Sequence, residues 1–224
     1  GAGFFRIQED HNGLIWATNY DKGVFFLDPG NHSIKQLILP IKKIEKNVAF
    51  GVFEDTKENL WIGYPDKLAI VNAERNSIRL IGKTEGLTNN TPYNFTEDVK
   101  GNVWISADAK EAKSISLKED KIFTLGAKQG FSGSCRDVVI DPLHRIWIMD
   151  NDTVFVYDPA TVRLKKIPTG VAYRGDFYPS NAIVDLKWNL WLGTARSGIL
   201  LIDSRGTLSE HFSTANGLAS NDVW

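Results

Sequence analysis

Five times along the 224 residues, an aspartate is followed six positions later by a tryptophan: Asp10/Trp16, Asp55/Trp61, Asp98/Trp104, Asp141/Trp147 and Asp185/Trp191. The tryptophans are 45, 43, 43 and 44 residues apart, and an aliphatic residue precedes each (Ile15, Leu60, Val103, Ile146, Leu190). A fixed period of this length demands one supersecondary unit copied in series, and so constrains the fold more tightly than composition does.

Each unit has the same plan. An apolar run such as "VAFGVFED" or "RDVVID" leads into the aspartate, a polar turn follows, and then comes "LIWAT", "LWIGY", "VWISA", "IWIMD" or "LWLGT". A third apolar run ("GVFFLD", "KLAIVN", "SISL", "TVFVYD", "GILLID") and a short closing run ("SIKQL", "SIRLI", "KIFTL", "RLKKI", "TLSEHF") complete the unit. Runs of four to eight residues rich in β-branched and aromatic side chains, bounded by Gly, Asn, Asp and Pro, are strands joined by hairpins. No stretch carries a sustained helical stripe. The chain is predicted to be all-β, a β-propeller of four-stranded antiparallel blades. The blades are placed at 4–37, 48–81, 93–125, 135–167 and 180–212, with 213–224 opening a sixth repeat. Five blades are expected to be an arc of a larger, seven-bladed ring, and the opening "GAGFF" reads as a cut from a longer chain. In such a blade the first three strands are apolar on both faces, and the fourth, at the rim, alternates.

The repeated aspartate ends a strand, where its short acceptor can bond the backbone of the turn it starts. Three positions later stand Gly13, Glu58, Gly101, His144 and Trp188, so a left-handed glycine is favoured there but not obligatory. The tryptophan then offers a flat face to the adjoining blade. These ten residues are read as structural, not catalytic.

Composition excludes several function classes. A formal net charge of −1 argues against a nucleic-acid or anionic-membrane surface, and the basic runs at 41–46 and 163–166 are short. Cys135 stands alone, which rules out a disulfide framework or a cysteine zinc site and fits a small core residue. No metal or cofactor is expected. The longest apolar runs, such as "GILLI", are far too short to span a bilayer.

The pieces "EDHNGLIWATN", "TEGLTNN", "LWLGTARSGILLID" and "NGLASNDV" together resemble the two-component-regulator propeller repeat. The resemblance covers essentially the whole chain, with departures at Asp141-Pro142 and at Trp188. It implies a periplasmic sensing region of a hybrid histidine kinase, with a membrane helix and kinase further along the full-length protein. It also implies recognition of an oligosaccharide that controls glycan-utilisation genes.

In a propeller the start of each first strand and the end of each second strand open on one face. That face collects "TNYDKG", "GYPDK", "ADAKEAK", "MDND" and "TARSG", together with the long segments 82–93 and 168–180. Aromatic residues beside Asp, Asn and Arg suit a sugar, which presents apolar C–H faces and many hydroxyls. The candidate ligand contacts are Tyr20, Tyr64, Asp66, Arg174, Asp176, Tyr178 and Arg196. Expected partners are therefore a small oligosaccharide, further blades and a homodimer mate, with neither nucleic acid nor direct membrane contact. The rival readings are a propeller enzyme resembling streptogramin lyases and a protein-docking scaffold. Lyase chemistry needs a general acid or base, usually histidine. His11, His32, His144 and His211 fall on turns or a rim strand away from the loop-rich face, so no catalysis is expected.

Overall fold

The computed structural model describes residues 3–39, 48–87, 91–107, 110–131, 134–150, 153–169 and 179–223. Arg174, Asp176 and Tyr178 therefore lie outside the described residues, as does the basic run at 41–46. The chain divides into two compact units, residues 1–95 and 96–224.

The first unit opens with β1 (Phe4–Glu9), β2 (Ile15–Asn19), β3 (Gly23–Asp28) and β4 (Ser33–Leu37), an antiparallel sheet in chain order. A second such sheet holds β5 (Gly51–Glu54), β6 (Leu60–Tyr64), β7 (Lys67–Val71) and β8 (Ile78–Ile81). Strand β9 (Pro92–Glu97) runs across the division. In the second unit, β10 (Val103–Ala107), β11 (Ala112–Ser116) and β12 (Lys121–Leu125) are followed by β13 (Cys135–Ile140), β14 (Ile146–Asp150), β15 (Thr153–Asp158) and β16 (Arg163–Ile167). A bridge between Ala107 and Cys135 joins these into one larger sheet. The last sheet holds β17 (Pro179–Val184), β18 (Leu190–Thr194), β19 (Gly198–Ile202) and β20 (Leu208–Phe212). No helix among the described residues is long and apolar enough to cross a membrane.

Burial follows position within each group of four. Strands β6, β10 and β14 are buried at every residue, which requires cover on both faces and explains their near-continuous apolar sequence. The closing strands β4 and β20 are largely exposed. Strands β2 and β18 differ from their counterparts, since partly exposed residues alternate with buried ones along them. In unit 1 the uncovered side is an apolar hollow of about 220 Å³ lined by residues such as Phe4, Ile7, Ile15, Phe25 and Ile34. In unit 2 a similar hollow of about 230 Å³ lies against Ala182, Ile183, Trp191, Leu192 and Ile199.

Glycine is imposed where a neighbouring backbone comes close. A Cβ on Gly63 would run into the Pro92 carbonyl, and one on Gly51 into the Tyr93 carbonyl. Three 3-10 turns share another device: Lys83–Glu85, Ala127–Gln129 and Thr214–Asn216 are each followed by a left-handed glycine (φ 102°, 93° and 112°). The third residue of each turn bends back to accept the amide before it, Gly82 N–H to Glu85 Oε2 at 2.7 Å and Gly126 N–H to Gln129 Oε1 at 2.8 Å. The apolar residue after the glycine then plugs the core, as Leu87 and Phe131 do, with Phe131 stacked on Phe155 at 4.4 Å.

Candidate functional site

The repeated aspartate does more than cap a turn. Oδ1 of Asp55 accepts the Lys57 and Asn59 amides at 3.0 and 2.8 Å, and Oδ2 accepts the Trp61 indole N–H at 2.8 Å. The same triplet recurs at Asp10, Asp98, Asp141 and Asp185, with indole distances of 2.8, 3.0, 2.9 and 2.9 Å. In four of the five hairpins the side chain four residues after the aspartate adds a further donor, Leu14 being the exception. Asn59, Asn102 and Asn189 contribute side-chain amides, and Arg145 a guanidinium whose Nε lies 2.7 Å from Asp141 Oδ2. Each carboxylate is thus engaged inside its own hairpin, in a structural role. At Asp185 the Trp191 indole and the Asn189 amide hold the pKa down to about 2. All five third-position residues are left-handed, including Glu58 (φ 64°), His144 (62°) and Trp188 (65°).

The tryptophans face the next group within each unit. Trp16 joins a buried cluster with Val52, Leu60 and Ile62, and Trp147 one with Ala182, Leu192 and Leu200.

Among the expected ligand contacts, Tyr20 follows β2 and is 47% exposed. Its ring meets Phe5 at 5.8 Å and Phe50 at 5.6 Å, Phe5 meets Phe50 at 5.3 Å, and Phe50 meets Tyr93 at 6.2 Å. These four rings come from β1, the β2–β3 turn, the residue before β5, and β9. All sit where a first strand begins or a second strand ends, because Phe4 pairs with Asn19 and Gly51 with Gly63 across their hairpins. Asn19 fixes the turn that carries Tyr20, its Oδ1 accepting the Asp21 and Lys22 amides at 2.9 and 3.0 Å. Exposed Asp21 and Lys22 follow the tyrosine. The result is a half-exposed aromatic shelf with charged neighbours, able to stack an apolar ring face and hydrogen bond around its edge. Phe5, Phe50 and Tyr93 were not singled out from the sequence.

Tyr64 corrects the sequence expectation. It is only 5% exposed because β6 is covered on both faces, and burial pushes its phenol up to about 12. Its ring is core and not a platform for ligand. Asp66 is exposed at a left-handed position (φ 56°) in the tight β6–β7 turn. Arg196 is exposed in the β18–β19 turn of the second unit, in which Thr194 Oγ1 accepts the Ser197 amide at 2.9 Å.

Two buried acids in unit 2 also escaped the sequence reading. Asp150 is fully buried, and Asp137, 4% exposed, accepts the Val138 amide at 2.8 Å and the Ala182 amide at 3.1 Å. Asp137 therefore ties the β13–β16 group to β17. Burial, and then these two carboxylates, push the enclosed Cys135 thiol well above its usual range, so it is an inert core group.

His11 lies in the β1–β2 turn, its Nδ1 2.9 Å from Glu54 Oε2 and its Nε2 3.4 Å from Glu58. Asp10, His11 and Glu54 form the one group of potential metal ligands found among the described residues. Asp10 is already committed to its hairpin and Glu54 to Arg75 at 2.9 Å, so the arrangement is an ion-pair network joining the two sheets of unit 1.

No protein-family profile matches the chain. No curated protein sequence matches it either. Solved structures do. Catalytically inactive virginiamycin B lyase from Staphylococcus aureus with quinupristin is similar at 14% identity and TM-score 0.77, over 96% of this chain and 72% of that one. The extracellular domain of a protein assigned as a hybrid two-component system of B. thetaiotaomicron is similar at 13% identity and TM-score 0.77, over 98% of this chain and 30% of that one. A surface component of the type-IX secretion system of Porphyromonas gingivalis is similar at 12% identity and TM-score 0.70, over 98% of this chain and 35% of that one. At these identities the likeness establishes the fold, a β-propeller built from four-stranded antiparallel sheets.

Proposed function

We propose that the chain is the extracytoplasmic ligand-sensing propeller of a hybrid two-component signalling protein of the two-component-regulator propeller family, and that it detects an oligosaccharide in the periplasm. The observation that carries this reading is the shelf of Phe5, Tyr20, Phe50 and Tyr93, which gathers two exposed and two half-buried rings beside charged side chains at one edge of unit 1. The likeness to the extracellular domain of the Bacteroides two-component protein supports the choice of a sensor among the roles a propeller can take. On this reading the region catalyses nothing. His11 is paired with Glu54, His32 and His144 hold left-handed turn positions, and His211 meets the Ser197 carbonyl from a closing strand.

Calorimetric titration with oligosaccharides from several polysaccharides tests the reading. One class should bind, and Tyr20→Ala should weaken it at least tenfold, about 1.4 kcal/mol, while melting is preserved. Binding indifferent to Tyr20→Ala, or no binding by any oligosaccharide, would defeat the proposal. Quinupristin should be recovered intact after incubation; its cleavage would instead favour the lyase reading.

A further inference from the structure

A cavity of about 390 Å³ lies in unit 2 between the β10–β12 strands and the β15–β16 turn, outside the aromatic shelf. Its floor is aromatic: Trp104 meets Tyr157 at 5.1 Å and Phe123 at 6.0 Å. Asp98, Lys100 and Glu119 stand among its polar walls.

The equivalent place beside two other repeat tryptophans is filled by an arginine of this chain. Above Trp147, the Arg145 guanidinium sits 5.5 Å from the ring centroid. It bonds Asp141 Oδ2 through Nε at 2.7 Å and reaches across the seam to the Ser204 carbonyl at 2.8 Å. Above Trp16, the Arg75 guanidinium sits 5.9 Å from the ring and bonds Glu54 at 2.9 Å. Both are cation–π contacts backed by a carboxylate. Beside Trp104 neither source of arginine exists. The position matching Arg145 is Asn102, and the β15–β16 turn reads Pro159-Ala-Thr-Val162. The receiving groups nevertheless remain. Asp98 Oδ2 corresponds to Asp141 Oδ2, with the neutral Asn102 side-chain amide at 3.0 Å where Asp141 has the Arg145 guanidinium. The Pro159 carbonyl corresponds to that of Ser204 and, among the described residues, is met by Lys100 Nζ at 3.5 Å, the outer limit of a hydrogen bond.

We infer that the cavity beside Trp104 is a socket for a guanidinium group supplied from outside the chain, as a small molecule or as an arginine of a partner protein. The guanidinium would lie against the aromatic floor, displace the Asn102 side-chain amide from Asp98 Oδ2, and replace Lys100 on the Pro159 carbonyl. The geometry is that of the two arginine-filled seams, with the cation arriving from another molecule.

The test follows the Trp104 indole N–H resonance, assigned with Trp104→Phe, during titration with N-acetyl-arginine amide. A saturable shift is expected, and the neutral isostere N-acetyl-citrulline amide should give none. A Gly-Gly-Arg-Gly-Gly peptide distinguishes the sources: tenfold tighter binding than the capped amino acid indicates a partner arginine, and equal binding a small guanidinium ligand. Either result upholds the socket. Asn102→Arg supplies the missing side chain from within, so it should raise the melting temperature and abolish the titration. If that variant does not fold, Phe123→Ala, at a residue 43% exposed, should fold and weaken binding at least tenfold. No saturable shift, an equal response to citrulline, unchanged binding in either variant, or a response to neutral oligosaccharide alone would overturn the inference.

Discussion

At the scale of single residues, the aspartate carboxylate is the hub of each hairpin. Asp98 accepts the Lys100 and Asn102 amides, the Asn102 side chain and the Trp104 indole, and is only 5% exposed. Removing it strands several buried donors, so Asp98→Ala should cost about 2–3 kcal/mol in urea unfolding. Ligand binding at the aromatic shelf should be preserved; its loss with unchanged stability would reverse the role assigned to these acids. His11 gives a different signature. The hydrogen bond it donates to the Glu54 carboxylate, reinforced by the charges of Glu54, Glu58 and Asp10, raises its pKa above 6.5. Its contribution is therefore complete below pH 6.5 and is lost as pH climbs through the raised folded-state value. Melting temperature measured from pH 5.5 to 8.5 should fall over that window in the native chain, relative to His11→Gln. Parallel curves would show that the histidine is not coupled to folding.

At the scale of elements, the glycine of "LWIGY" marks where β9 presses on β6. Gly63→Ala should cost about 2–3 kcal/mol, because the obstruction is a backbone carbonyl that cannot rotate away. Gly82→Ala, whose new Cβ would meet nothing nearer than 3.5 Å, should change stability by less than about 0.5 kcal/mol. Equal effects would disprove the close approach. What the sequence reveals follows the range of each contact. The hairpins span six residues, so aspartate, turn and tryptophan are visible as a spacing, and the turn role of the aspartate follows from its chemistry. The indole bond to Oδ2 was hidden, since tryptophan reads first as an apolar surface. The aromatic shelf was hidden apart from Tyr20, because Phe5, Phe50 and Tyr93 stand on separate strands and only three-dimensional proximity makes them a group. Tyr64 misled for the converse reason: it is adjacent to turn residues in sequence yet ends a strand buried on both sides.

At the scale of the whole molecule, the apolar hollows on the first and last sheets matter most. Ile7 is 71% and Ile183 63% exposed, each lining an apolar hollow of its own unit. Such faces drive association. The 224-residue chain should self-associate with rising concentration in sedimentation velocity, and Ile7→Lys with Ile183→Lys should shift it towards monomer. A wild-type chain that is monomeric throughout would show that these faces tolerate water. The Asp–Trp hairpin has a last consequence, for ancestry. Each block of about 44 residues carries its own closing bond, so a duplicated gene segment brings a turn that already knows how to fold. Only its two flanks must suit the new neighbours. Surface positions are then free to drift, which is how chains sharing 12–14% of their residues can keep one architecture while their trades diverge.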